Sequence, residues 1–305
     1  MIIEALKIGA KKIGHSFGYD IKMHPIAKGN VGNNPVCFVH IPKCGGMSIE
    51  RGLRQQFAGV DELRLNRDAL IQSTICRLDN KPNNLDGVAK FSDLHCETIT
   101  SLLGYELAKG QKGFISGHVA TTSMMLSTYA SEVDFVTVLR DPIERFKSNY
   151  IFNKLTNRTG VMSPSALSET DVLQEAWDIL NHRRGWQMAN VPTMTIVGAF
   201  PSDKAHAVNL QKTFIANLKR YKVVGFLDDL TSFQSRIHEV LGKKVIFGHR
   251  NATASFSADE NDKTRVQLTE FFQRRDVQHK LESLCEIEMQ NYLIAKETFG
   301  GKKHE

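Results

Sequence analysis

Lys43, Gly45, Gly46 and Ser48 lie within one short stretch, PVCFVHIPKCGGMSIERGLRQQF, from Pro35 to Phe57. A lysine supplies a full positive charge, and adjacent glycines let the backbone approach an anion without Cβ clashes. A serine just beyond them offers a hydroxyl in the first turn of whatever helix follows. Arg140, with Ser148 eight residues later, is a second set of the same character. Guanidinium grips phosphate oxygens in pairs, and a hydroxyl adds one donor. His118 follows Gly117, and a neutral imidazole can take a proton from a hydroxyl at physiological pH. These types can hold a phosphorylated ligand and present a base to it. Taken alone, Arg140-Asp141 also reads as a strand-end ion pair, Ser148 as a surface residue and His118 as a structural histidine. Arg145 and Lys147 read as exposed helix residues.

The elements that must position these groups are legible around them. Val36 to Ile41 is an apolar, β-branched run and reads as a buried strand. Pro42 to Gly46 is a tight turn, and Met47 to Phe57 has helical spacing, with Ile49, Leu53 and Phe57 on one face. Strand, glycine turn and helix aim backbone N–H groups at an anion. Further strands are predicted at Lys112 to Ser116, Asp134 to Leu139 and Lys222 to Leu227, with an edge strand at Lys244 to Phe247. Helices are predicted at Thr98 to Leu107, Ile143 to Phe152 after Pro142, and Val172 to Leu180. Others are expected at Asp203 to Arg220, with Val208, Phe214 and Leu218 inward, at Thr231 to Leu241 and at Asp276 to Phe299. Asp61 to Ser73 has no clean period, Pro192 to Phe200 is an apolar segment, and Asp79 to Gly87, Asn153 to Ser165 and Arg250 to Asp262 read as loops. Alternating strands and helices imply an α/β domain with a central, mostly parallel sheet flanked by helices. Such a sheet binds ligands at the carboxyl ends of its strands. The Lys43 turn, His118 and Arg140 all fall there.

Composition narrows the partners. The 305 residues carry a formal net charge of +6, with 41% hydrophobic and 24% charged content. That is an ordinary globular balance with a preference for an anionic ligand. The charge is interspersed, without an arginine-rich or aromatic-interleaved stripe, which argues against nucleic acid. Five widely spaced cysteines without a CxxC suggest neither a disulfide framework nor a zinc site, and fit a reducing cytosol. His95-Cys96-Glu97 has ligand types side by side rather than on one face, so no metal is expected there. No apolar run reaches the ~18 residues of a membrane span. Residues 1–17 look like a short amphipathic helix, read as an arm docking on its own domain or touching a membrane surface. Gly14 to Asn34 reads as a linker. The expected organisation is an arm and linker over 1–34 and one domain over 35–305.

HIPKCGGMSI resembles the HIPKTGGTSI signature of sulfotransferases that use 3′-phosphoadenosine 5′-phosphosulfate (PAPS), and is most similar to the carbohydrate-type group that includes heparan sulfate 2-O-sulfotransferases. VTVLRDPIERFKSNY resembles that family's 3′-phosphate-binding motif, and ISGHV its Gly-His segment. MTIVGAF, VVGFLDDL and EIEMQNYLIAKETF echo later family segments loosely, so the resemblance runs from Val36 to Phe299. It implies a P-loop-like sulfotransferase fold in a soluble, bacterial-style member. The loop Lys43, Cys44, Gly45, Gly46, Met47 and Ser48 would bind the 5′-phosphosulfate, with Lys43 stabilising the leaving group. Arg140 and Ser148 would hold the 3′-phosphate, His118 would be the base, and Arg250 would close over the nucleotide. Cys44 and Met47 stand where the family has threonines. The hydroxyl missing at position 47 removes a donor worth about 1.5–3 kcal/mol in a charged hydrogen bond.

The implied activity is transfer of a sulfuryl group from PAPS to a hydroxyl, with a carbohydrate or glycoconjugate as the expected acceptor. Residues 61–110 and 153–195 are expected to shape its site, and Arg183 and Arg184 read either as contacts for an acidic group or as solvated arginines. Two rivals stand beside this reading. A kinase-like phosphotransferase would need Mg²⁺ and a Lys-Ser/Thr after the glycines, which is absent. A non-catalytic nucleotide- or glycan-binding protein would not need His118.

Overall fold

The computed structural model describes residues 34–58, 63–78, 80–110, 113–156, 169–248 and 259–300, together with residues 12, 13 and 16. Its centre is a five-stranded, all-parallel sheet of β1 (Val36–Val39), β2 (Leu63–Arg64), β3 (Ile115–Gly117), β4 (Asp134–Leu139) and β5 (Val223–Phe226), in the order β2-β3-β1-β4-β5. Every residue of β1, β4 and β5 is buried, which is why these strands are continuous apolar runs rather than alternating ones. Parallel strands need crossovers, and helices supply them. Between the strands lie α1 (Gly46–Phe57), α2 (Arg67–Ile75), α3 (Leu85–Ala108), α4 (Ser123–Tyr129), α5 (Pro142–Leu155), α6 (Glu169–Asn181), α7 (Arg183–Ala189), α8 (Val191–Val197) and α9 (Lys204–Leu218), and after the last strand come α10 (Leu230–Leu241), α11 (Asp259–Phe271) and α12 (Arg275–Phe299).

The core divides in two. One cluster covers both faces of the sheet and includes Ile49, Leu53 and Phe57 of α1. The other, around Phe146, Tyr150 and Phe272, joins α5, α6, α7, α11 and α12. The chain order reverses at β1, whose neighbours are β3 on one side and β4 on the other. That switch point is where an open α/β sheet leaves a crevice.

Several expected boundaries move. The segment Lys244 to Phe247 is not a strand. Val245 and Phe247 are buried, but they pack over Gly52 of α1, where an added Cβ would meet the Ile246 carbonyl oxygen at 2.8 Å. Burial produced the apolar signal there, without a ladder. Helix α3 starts at Leu85, thirteen residues before the expected Thr98, because Asn84 caps it by accepting from the Gly87 amide at 2.8 Å. The aperiodic stretch after Asp61 contains β2 and α2, and the apolar segment from Pro192 is mostly the helix α8. Val208 is 46% exposed, and Ala207 takes the inward place. Most of the N-terminal arm lies outside the described residues, as do the loop residues 157–168 and 249–258.

Candidate active site

The phosphate turn is built by two left-handed residues. Lys43 has φ 69° and Gly45 has φ 74°. For lysine this conformation is costly, and such strain persists where the surroundings impose it. Gly45 is the N-cap of α1, so the first-turn amides of Gly46, Met47 and Ser48 have no intrahelical acceptor. They form a ready-made anion cradle. Neither glycine has room for a side chain. A Cβ on Gly45 would lie 2.6 Å from Leu227 Cδ1, and one on Gly46 would lie 1.5 Å from His40 Nε2.

Strand register brings the other groups to the turn. Val39 pairs with Gly117 of β3 and with Thr137 of β4. His40 and His118, each one residue further on, therefore stand side by side, their rings stacked 4.4 Å apart. His118 Nδ1 lies 3.0 Å from the His40 carbonyl oxygen. A carbonyl only accepts, so Nδ1 carries the proton and the Nε2 lone pair is left for a ligand. Burial pushes the His118 pKa down to about 4, an effect which the hydrogen bond to His40 opposes and the charge of Arg67 reinforces. The ring is neutral at physiological pH. His40 is also held well below the usual range, first by burial and then by the charges of His118 and Lys43.

Arg140 donates from Nη1 to the Lys43 carbonyl oxygen at 3.0 Å. Asp141 does not pair with it; the Asp141 side chain caps α5 by accepting from the Glu144 amide at 2.9 Å. Lys43 Nζ sits 3.7 Å over the Phe152 ring. Burial, with the charge of Arg140, lowers the Lys43 pKa to about 8.

Lys43, Gly45, Gly46, Met47, Ser48, His118, Arg140 and Ser148 all line one cavity of about 560 Å³. Arg140 and Ser148 also line a second, of about 380 Å³, with Lys147 and Arg265. Cys44 does not face the ligand space. It is 1% exposed, and burial raises its thiol to about 12, so only its backbone belongs to the turn. Arg250 lies outside the described residues.

Three further residues are placed by the fold where the sequence left them open or put them elsewhere. Arg145, expected on the surface, is fully buried and donates to the carbonyl oxygens of Met188 and Ala189. Arg184, read as a contact or a solvated residue, is 5% exposed and lines the larger cavity. His95, read only against a metal site, lines it too. Thr74 Oγ1 donates to the Leu70 carbonyl oxygen and so must accept from His95 Nδ1, 2.9 Å away. Its Nε2 is left as an acceptor, as in His118. Neither position carries a local pattern that distinguishes it. Among the described residues, no three His, Cys, Asp or Glu side chains converge as a metal site would need, and no helix is long and apolar enough to cross a membrane.

No protein-family model matches the chain, and no curated protein matches it in sequence. Among solved structures, the fold is similar to the crystal structure of a sulfotransferase from Alicyclobacillus acidocaldarius. The TM-score is 0.35 at 16% identity, over 84% of this chain and 97% of that one.

Proposed function

We infer that the chain moves a sulfuryl group from PAPS to an acceptor hydroxyl. The observation that carries this reading is the His118–His40 hydrogen bond, which leaves His118 Nε2 basic on the cavity shared with the Lys43 turn and Arg140. The residues fit such a donor. The first-turn amides and Lys43 suit a 5′-phosphosulfate, and Arg140 with Ser148, at the junction of the two cavities, suits a 3′-phosphate.

When bound, the donor supplies the sulfuryl group: the S–O bond to its 5′-phosphate breaks as the acceptor oxygen bonds to sulfur. His118 Nε2 takes the hydroxyl proton as that bond forms. Lys43 and the amides of the turn hold the charge that grows on the departing phosphate oxygen. Phe152 covers Lys43 and limits water around it, which strengthens that interaction.

The test is turnover of sulfur-labelled PAPS across a panel of alcohols, phenols and sugars, with calorimetry of adenosine 3′,5′-bisphosphate. Transfer of label and binding of the bisphosphate are expected. A protein that ignores the bisphosphate yet takes up ATP with magnesium would overturn the reading in favour of a phosphotransferase.

A further inference from the structure

Arg184 has an unusual environment. Its hydrogen bonds, to Ser92 Oγ at 2.8 Å and to Gln187 Oε1 at 3.5 Å, both leave from Nη1, and its buried Nε has no partner. Asp93 is the carboxylate whose charge acts on it. That carboxylate is already engaged by Arg183 at 2.7 Å and by Gln187 Nε2 at 2.8 Å. A buried guanidinium held mainly by neutral oxygens is expensive unless an anion completes it. Arg145 is equally buried and has two unpartnered nitrogens, but it is not on the cavity wall and has Glu288 nearby to act on it. Arg184 is on that wall.

The surroundings agree. His95 is kept neutral, with a pKa near 4, first by burial and then by the charges of Arg67 and Arg184. Two guanidinium groups therefore act on one ring. Arg67 also lines the cavity. Phe91, Ile99, Met194 and Phe200 line it too, and of its remaining polar members Ser92 and Thr195 donate their hydroxyls to the carbonyl oxygens of Val88 and Val191, while Asn149 and Asn153 stand on α5 with Phe152. A pocket that must bind a sugar offers free hydrogen-bonding side chains around the ring; beside Arg184 this one offers mainly carbon surface and hydroxyls that donate to their own helices, with one cationic corner.

We propose that Arg184, with Arg67, forms a subsite for an anionic group on the acceptor, and that the acceptor is a compact, apolar hydroxy acid rather than an extended glycan. The carboxylate sits at Arg184, the apolar body lies against Phe91 and Met194, and the hydroxyl reaches His118. The fate of that hydroxyl rests on the sulfuryl-transfer reading; the subsite does not.

The experiment is calorimetry of the full chain with 3-(4-hydroxyphenyl)propanoate and with its carboxamide, which has nearly the same shape but no charge. Each is titrated with and without adenosine 3′,5′-bisphosphate. The acid is expected to bind at least about tenfold more tightly, the scale of a charged hydrogen-bonded pair. Arg184→Gln should reduce that preference to less than about threefold while leaving bisphosphate affinity within about twofold. Arg67→Gln, at a partly exposed position, should reduce it as well and serves if Arg184→Gln does not fold. Equal binding of acid and amide to the unaltered chain overturns the proposal, as does absence of binding by both. So does a preference that survives both substitutions, or tighter binding of a glucuronate disaccharide than of the aromatic acid. Selective acid binding without bisphosphate binding would instead defeat the sulfuryl-transfer reading and leave the subsite standing.

Discussion

Arg140 Nη1 donates to the carbonyl oxygen of Lys43 at 3.0 Å, tying the tip of β4 to the left-handed residue of the phosphate turn. The guanidinium proposed for a 3′-phosphate thus also braces the backbone proposed for a 5′-phosphosulfate. Two residues about a hundred positions apart in sequence are thereby mechanically coupled.

Arg140→Ala should therefore do two things. Discrimination between adenosine 3′,5′-bisphosphate and adenosine 5′-monophosphate should shrink at least about tenfold, as a charged pair is lost. Affinity for the monophosphate should also fall, by a smaller factor, because the turn loses its brace. Competition calorimetry measures both, and unchanged discrimination would remove Arg140 from the 3′-phosphate site.

His118→Ala should lower turnover by roughly 10²–10⁴ with bisphosphate binding nearly unchanged. His95→Ala is the informative control. Its imidazole has the same tautomer but stands on the helical wall rather than at a strand tip beside the turn, so its loss should cost less than about tenfold in turnover. A reversed pattern would transfer the base role to His95.

The pH profile follows from burial. His118 is neutral above about 4 and Lys43 loses its charge above about 8. In kcat/KM, which reports the free enzyme, the acid limb should fall near 4 instead of the 6.5 of an exposed histidine. Activity should stay level through neutrality and decline above about 8. An acid limb near 6.5 would mean that the His118 ring is wetter than the fold implies.

Gly46→Ala should destabilise the protein and abolish bisphosphate binding together, because the new Cβ would occupy the place of the His40 ring. Thermal unfolding with and without the bisphosphate tests this. A variant that keeps both its Tm and its ligand shift would show that His40 can swing aside at no cost.

Stability should rise with pH from about 4 to about 6.5. His40, His95 and His118 are all lowered by burial. In that window the unfolded chain binds protons that the fold does not, and stability is lost as pH falls. Glu288 opposes them. Burial raises it to about 7, partly offset by its hydrogen bond from Thr193 at 2.6 Å. The fold then keeps a proton that the unfolded chain has released, so its contribution is lost as pH rises from about 4.5 to about 7. Glu288→Gln removes that opposing slope, and denaturant titrations at pH 5 and 6.5 should show a larger gain than in the unaltered chain. An equal or smaller gain would mean that Glu288 is ionised in the fold.

Local signals were read well where a few neighbouring residues decide the outcome. The β1–turn–α1 unit is such a case: apolar residues demand burial, two glycines permit the close approach to Leu227 and His40, and the inward face of α1 is set by spacing alone. Signals failed where packing from elsewhere decided. Lys244 to Phe247 looks like a strand because it is buried, yet it lies against Gly52 with no strand to pair with. Arg145 looks like a surface residue, and Arg184 like either a contact for an acidic group or a solvated residue, because guanidinium groups are usually exposed. The carbonyl oxygens of α7 around one, and Ser92 of α3 with Gln187 beside the other, help make burial tolerable.

The amino-acid sequence by itself determined the anion cradle, the parallel α/β architecture and the candidates at three strand ends, since each depends on contacts within a turn or along one element. The tertiary structure alone decided that His118 stands in register with His40 and carries its proton on Nδ1. It alone decided that Arg140 braces the turn, and that Arg184 and His95 share the cavity with them. Those relations join residues separated by about twenty to a hundred and forty positions. Register and packing of whole elements set them, and no local pattern of side chains encodes that.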